Sequence, residues 1–405
     1  MRLTFIAKRY PVRTETFVSE PLDWLREAGI DVSMVAGNAG DVGAESAAGL
    51  DARILSAASR PTIIATLLGS PLATASVFGR ALQLREPGIN VRETVWRAML
   101  PEVRAADAVV VHFGSVALRW LVPIVLARKP FAVYFHGYDV GRVLAERPAA
   151  YDRLFQSGAG LLTNSEFQRD RLIAAGAPSS KLVVVPLGIS PEFAAEALKT
   201  RDRTAADDAR RVVTIGRLVP KKGIDVSVKA FARMRIDSGR DWEYHVVGDG
   251  PLRAEIDTLV ASEGLAGTVR LRGFLSRPET IALLRSASIF ALASRTAADG
   301  DTEGTPVSIL EAASLGIPIV ATRHAGIPEI LPADAPREGF LVEEDDLDAF
   351  SSALRRLVAS SELRRQWGEA CRAHVRQRHS SRAFVTGLLD VVRTIAAAPS
   401  VSPQP

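Results

Sequence analysis

Cysteine is nearly absent: of 405 residues, only Cys371 carries a thiol. That excludes an internal disulfide and any cysteine-rich metal site, and it fits a protein kept in a reducing cytosol. Charge of one sign is also scarce. Fifty lysines and arginines against 46 aspartates and glutamates leave a net charge of +4, too even for the dense basic stripe of a nucleic-acid binder. A long apolar run is missing too. The nearest approach is residues 61–79, which are uncharged but interrupted by Pro61, Gly69, Pro71 and Gly79 and rich in Ser and Thr. Two short helices or a surface-seeking loop suit this stretch better than a spanning helix. The opening residues, MRLTFIAKRYP, have neither the apolar core nor the cleavage site of a signal peptide, and they suit a first strand over 3–7. The expected protein is cytoplasmic, soluble or peripheral, with no nucleic-acid partner.

What is present is core-forming material. Hydrophobic residues make up 47% and charged residues 24%, and the length suggests two domains. Short β-branched runs recur at 107–112, 131–135, 160–163, 182–185, 211–215, 244–247, 269–271, 289–292 and 318–321, separated by helical lengths. Such runs suit parallel strands buried on both faces, so the expected class is α/β with two Rossmann-like doubly wound domains. A polar stretch without β pattern, 191–210, divides an N-terminal domain (1–190) from a C-terminal one (211–379). The last helix, about 382–395, has Phe384, Val385, Leu388, Leu389 and Val392 at helical spacing, and residues 397–405 look disordered.

In open parallel sheets, ligands bind beyond the carboxyl ends of the strands. After strand 211–215 comes Gly216-Arg217-Leu218-Val219-Pro220-Lys221-Lys222-Gly223, where a planar fork and a mobile point charge could converge on one anion. Taken alone, the segment also suits a solvated basic loop. After strand 289–292, a Gly/Asp loop leads to Glu303-Gly304-Thr305-Pro306 and then an apolar helix. Its N-terminus is a natural anion site, and proline suits its first turn. By themselves, Glu303 and Glu311 also suit a helix-start carboxylate and a solvated helix position.

At this point the residues carry a family likeness. Glu303 and Glu311, followed by GIPIVATRHAGIPEI, resemble the C-terminal domain of retaining family-4 glycosyltransferases, enzymes of the GT-B fold. Gly216-Arg217-Leu218…Lys222-Gly223, Val247-Gly248-Asp249-Gly250-Pro251, Arg272-Gly273-Phe274-Leu275 and His136-Gly137-Tyr138-Asp139 agree with that family in order. Tyr10-Pro11-Val12-Arg13-Thr14-Glu15-Thr16, Val111-His112-Phe113-Gly114 and Asp301-Thr302-Glu303-Gly304-Thr305-Pro306 look like the subgroup that makes colanic-acid and amylovoran exopolysaccharides. Two departures stand out. Residues 7–20 contain no glycine where many members have a glycine-rich loop, and Pro306 has no N–H to offer a phosphate.

The resemblance implies a hexosyltransferase that takes a UDP- or GDP-sugar as donor and a glycan or lipid-linked oligosaccharide as acceptor. Arg217 and Lys222 are expected on the diphosphate, helped by the helix opening at Gly304, Thr305 and Val307. The likeness puts Glu303 on the donor-sugar hydroxyls, Glu311 on the ribose and the base against Phe274 and Leu275. His136 becomes a sugar-contacting or transition-state group, and His112, Thr14 and Glu15 lie on the acceptor side. The terminal helix is expected to cross back to the first domain. No cofactor or metal is expected, although Asp299-Gly300-Asp301 has the spelling of a metal-binding triplet. Residues 61–79, followed by Arg80, Arg85, Arg92, Arg97 and Arg104, suit contact with the cytoplasmic membrane face, and equally a packed helix pair with a solvated face. A non-catalytic nucleotide-sugar-binding subunit is the rival from another class.

Overall fold

The computed structural model describes residues 1–41, 52–57, 60–83, 90–199, 210–238, 242–333 and 339–397. Arg85, residues 200–209 of the polar divider and the tail beyond 397 lie outside the described residues.

The β-branched runs become strands because they are buried on both faces. Ala108–His112 is buried at every position, as are Phe131–Tyr134, Ile289–Leu292 and Ile319–Thr322. Burying a valine or isoleucine in this way is worth about 1.5–3 kcal/mol. Among the described residues the strands form two all-parallel sheets. The first contains β1 (Arg2–Tyr10), β2 (Asp31–Ala39), β3 (Ala52–Ile54), β4 (Ala108–His112), β5 (Phe131–Tyr134), β6 (Gly160–Thr163) and β7 (Leu182–Val184), in the order β3-β2-β1-β4-β5-β6-β7. The second contains β8 (Arg211–Ile215), β9 (Glu243–Val247), β10 (Val269–Leu271), β11 (Ile289–Leu292), β12 (Ile319–Thr322) and β13 (Leu341–Val342), in the order β10-β9-β8-β11-β12-β13. In each sheet the order reverses beside the first strand, which opens a crevice at the carboxyl edge. The doubly wound α/β class expected from the sequence is what the chain adopts.

Residues 61–79 fall in two short helices, Arg60–Leu68 and Pro71–Gln83. No helix among the described residues is long and apolar enough to cross a membrane. The last helix, Ser381–Ala397, lies against the first sheet: Phe384 meets Trp24 edge-on at 5.6 Å, and Ile395 packs against Gly160 of β6.

The two halves touch along a polar seam. The Glu329 carboxylate accepts from the backbone N–H of Glu166 (2.8 Å) and Phe167 (3.0 Å), at the first turn of the Glu166–Ala174 helix. Thr305 Oγ1 donates to Asn164 Oδ1 at 3.0 Å, and Arg142 pairs with Asp299 at 3.0 Å. A carboxylate on uncapped helix N–H groups is favoured by both hydrogen bonding and the helix dipole.

Candidate functional site

The carboxyl edges of both sheets face a cleft of about 1240 Å³. On its C-terminal wall, β8 runs into Gly216 and Arg217, and a tight turn follows over Pro220–Lys222. Gly223 ends the turn at φ 56°, with its Cα so close to β11 that a Cβ would stand 1.8 Å from the Ala293 carbonyl oxygen. Only glycine fits there. The turn sends two adjacent lysines in different directions. Lys221 is buried and donates to Asp301 Oδ1 (3.0 Å) and the Thr302 carbonyl (2.9 Å). Lys222 reaches into the cleft, where Nζ lies 2.6 Å from Glu303 Oε1. Arg217 is exposed on the same wall and faces Glu15 of the other half, whose carboxyl is raised by burial and pulled back down by Arg217.

Glu303 is 6% exposed. Besides Lys222, its Oε1 accepts from Ser294 Oγ at 3.2 Å. Burial alone would raise its pKa, but Lys222, Lys221 and the Lys222 hydrogen bond outweigh it and hold the carboxyl at about 2. It is a fixed anion. Its backbone N–H donates to His324 Nε2 at 3.0 Å, so His324 carries its proton on Nδ1, which lies 2.6 Å from Glu344 Oε1. The Val307–Ser314 helix starts just beyond, with Pro306 at its N-cap and no side chain capping it. Gly304, Thr305 and Val307 line the cleft at this mouth.

Glu311, also 6% exposed, is held by Arg277 Nη1 at 2.6 Å. Burial lifts its carboxyl to about 7 despite that cation. Arg277 lies over the Phe193 ring at 4.4 Å and also meets Glu20 Oε1 (2.8 Å) and Ser190 Oγ (2.5 Å). Glu20 is pushed by burial to about 8. Phe274 and Leu275 line the cleft nearby, and the guanidinium of Arg13 sits 5.2 Å from the Phe274 ring centre.

The facing wall comes from the first sheet. His136 follows β5, lines the cleft and is packed among Phe17 (4.6 Å), Phe113 (4.7 Å) and Tyr134 (5.0 Å). Its backbone N–H donates to Asp139 Oδ2 at 3.0 Å, and Tyr151 donates to the other oxygen at 2.8 Å, which pins the turn. Gly137 is pressed against the opposite half: a Cβ there would lie 2.5 Å from the Glu303 carbonyl carbon. His136 and Glu303 are thereby brought to one place from two domains. Thr14 and Glu15 line the cleft as well. His112 does not. It ends β4 with its ring turned inward, 1% exposed, behind His136 rather than beside an acceptor.

Asp299 and Asp301 each have a cation already, in Arg142 and Lys221. Among the described residues no group of three or more His, Cys, Asp or Glu is placed to hold a metal.

Family models for "Glycosyl transferase 4-like domain" and "Glycosyl transferases group 1" match residues 14–188 and 197–374. The amylovoran biosynthesis glycosyltransferase AmsK of Erwinia amylovora is 34% identical over 377 residues, 88% of this chain and 90% of that protein. The chain belongs to the group 1 glycosyltransferases. WcaL of Escherichia coli K12, a putative colanic acid biosynthesis glycosyltransferase, is 32% identical over 381 residues, 90% of this chain and 91% of that one. Among solved structures, Anabaena HepE in complex with UDP superposes with a TM-score of 0.71 at 15% identity, over 97% of this chain and 100% of that one. This glycosyltransferase therefore has the GT-B fold and the relatives that its motifs resemble.

Sequence reasoning overlooked Arg277 in the glycosyltransferase cleft and the His324–Glu344 pair behind Glu303. Arg277 was signalled by Ser276-Arg277-Pro278-Glu279, a capping box that marks a helix start at the cleft edge. His324 and Glu344 left no local signal, because their pairing exists only once β12 and β13 are neighbours.

Proposed function

We propose that the protein is a retaining hexosyltransferase of exopolysaccharide biosynthesis, moving a sugar from a nucleoside diphosphate to a glycan or lipid-linked acceptor. The observation that carries this is the Lys222–Glu303 pair at 2.6 Å, set between Arg217, a helix N-terminus and His136. Breaking the sugar–phosphate bond builds negative charge on the leaving diphosphate. Arg217, Lys222 and the N–H groups at the helix mouth supply positive charge where it develops, without rearrangement. Glu303, ionised at any working pH, accepts from hydroxyls of the donor sugar, and Glu311 accepts from the ribose. His136 is kept neutral by burial and the neighbouring His112, which suits a hydrogen-bonding group rather than a proton donor in acid catalysis. In the retaining step the C1–O bond to phosphate breaks as the acceptor oxygen bonds to C1 on the same face, and the acceptor proton passes to the departing phosphate. Metal is not needed in this scheme, since protein cations meet the phosphates.

The kinship with amylovoran and colanic acid enzymes supports the pathway, and the UDP complex of a same-fold protein supports the donor class. A panel of UDP- and GDP-sugars tests both. The true donor stabilises the fold by about 2.7 kcal/mol at a hundredfold excess over its Kd, and it is slowly hydrolysed when no acceptor is present. A donor that stabilises but is never hydrolysed or transferred would make the protein a binding subunit instead. NMR of the new linkage decides retention.

Contact with an anionic membrane surface is part of the same proposal. It is supported by Leu68 (66% exposed), Leu72 (89%) and Leu82 (54%) on the two short helices of the first domain. Failure to float with anionic liposomes at low salt would remove it.

A further inference from the structure

Two nearly parallel imidazoles meet edge to edge inside the first domain, and one of their ring nitrogens is buried with nothing to bond. His112 Nδ1 lies 3.0 Å from His136 Nε2, with the rings 13° from parallel and their centres 5.3 Å apart. His112 Nε2 is buried without a hydrogen-bond partner among the described residues. The rings beside it offer none: Phe5 is apolar, and the Tyr134 hydroxyl, which donates to the Val185 carbonyl at 2.5 Å, makes no hydrogen bond with Nε2. Both histidines are neutral, since burial drives each below its ordinary value. One proton therefore lies between Nδ1 and Nε2, and the choice of its owner fixes both tautomers.

If His136 owned it, His112 would carry its own proton on Nε2 and bury an unmet N–H against apolar rings. Orphaned N–H groups are rarer than orphaned acceptors in folded proteins. With the proton on His112 Nδ1, the buried orphan is only a lone pair, and His136 must be protonated on its remaining nitrogen, Nδ1. Resting on the reading of the cleft given above, we propose that His112 is a positioning residue that holds His136 as the Nδ1–H tautomer. A neutral imidazole then presents a hydrogen-bond donor to the donor sugar and its departing phosphate. The opposite tautomer would turn a lone pair toward oxygen atoms gaining negative charge. This arrangement resembles the way a second partner fixes the tautomer of a metal-bound or catalytic histidine, with imidazole in the place of carboxylate.

The test is a long-range ¹⁵N–¹H NMR spectrum of the full chain labelled at its six histidines, assigned by single substitution, together with kinetics. The expected spectrum shows His136 with a protonated Nδ1 and a bare Nε2. Asparagine places an amide N–H near the position of His112 Nδ1, whereas leucine has the same shape without it. His112→Asn should keep the His136 tautomer and turnover within about threefold, and His112→Leu should lose the tautomer and about 10–100-fold in kcat, with little change in KM. Thermal melts of the isosteric pair separate loss of fold from loss of the donor. A bare Nδ1 on His136 in the unaltered protein overturns the proposal, as does a leucine variant with the original spectrum and turnover. The spectrum is recorded without any sugar donor, so failure here is distinguishable from a wrong donor or reaction.

Discussion

Replacing Lys222 by alanine removes the principal cation of a buried carboxylate. In the folded protein Glu303 titrates at about 2 instead of 4.5, which corresponds to about 3 kcal/mol in favour of the ionised, folded state. The folded value lies below the unfolded one, so this contribution is complete above about pH 4.5 and is lost as pH falls toward 2. In Lys222→Ala burial remains and the main opposing charge is gone, so the Glu303 carboxyl rises from that low value, with Lys221 still opposing part of the burial cost. At neutral pH the variant should be destabilised by about 3 kcal/mol, or about 6–12 °C in Tm for a domain of this size. The difference should shrink progressively below about pH 4.5, where the unaltered protein loses the same stabilisation. Calorimetry across that range, with Glu303→Gln and the double variant, measures the coupling: the double variant should cost clearly less than the sum of the single ones. Turnover should fall by about 10²–10³-fold in parallel. A melting point within about 2 °C of the parent at neutral pH, with no pH dependence of the gap, would refute the argument, since the pair would then not hold the carboxylate.

In the proposed scheme Glu303 accepts from the reacting sugar and Glu311 from the ribose, so Glu303→Gln should impair transfer more than Glu311→Gln; steady-state kinetics showing the reverse order would undo that division. Turnover should persist in EDTA, and Asp299→Asn should retain most activity, whereas Mg²⁺- or Mn²⁺-dependent recovery would assign a metal to the triplet. Gly137→Ala places a methyl 2.5 Å from the Glu303 backbone, so it should cost at least tenfold in kcat while leaving the first domain's unfolding in urea almost unchanged.

Strands were legible wherever both faces are apolar, as in Val109-Val110-Val111, because period and β-branching then speak together. β2, β3 and β13 were not; β3 is three half-buried residues at the sheet edge. β2 ends in exposed Asn38 and Ala39 and carries small residues, and β13 is two residues long. In the site, the loops after β8 and β11 were legible from their glycines, cations and carboxylates. The choice of Lys222 over Lys221 came from the family likeness alone, since neighbouring identical side chains are told apart only by which wall each faces. His112 was misplaced for the same reason. Its position after a strand is written in the chain, but its inward ring is set by packing on Phe5 and Tyr134.

Arg277 sets one positive charge against Glu20, Glu192 and Glu311, at 2.8, 3.6 and 2.6 Å. Burial raises Glu20 to about 8 and Glu311 to about 7, so both carboxyls hold protons into the neutral range. On the proposed placement of the nucleotide, ribose hydroxyls that donate to Glu311 favour its ionised form, so nucleotide arrival should expel part of a proton into solution. Titration calorimetry at pH 7 would then record a heat that changes with the ionisation enthalpy of the buffer, and phosphate and Tris should give different apparent enthalpies for the same affinity. Identical heats in both buffers would mean that Arg277 keeps Glu311 unchanged as the nucleotide binds. Proton release of this kind makes nucleotide affinity rise with pH through the neutral range, in a protein whose cleft histidine His136, and His112 behind it, stay uncharged there.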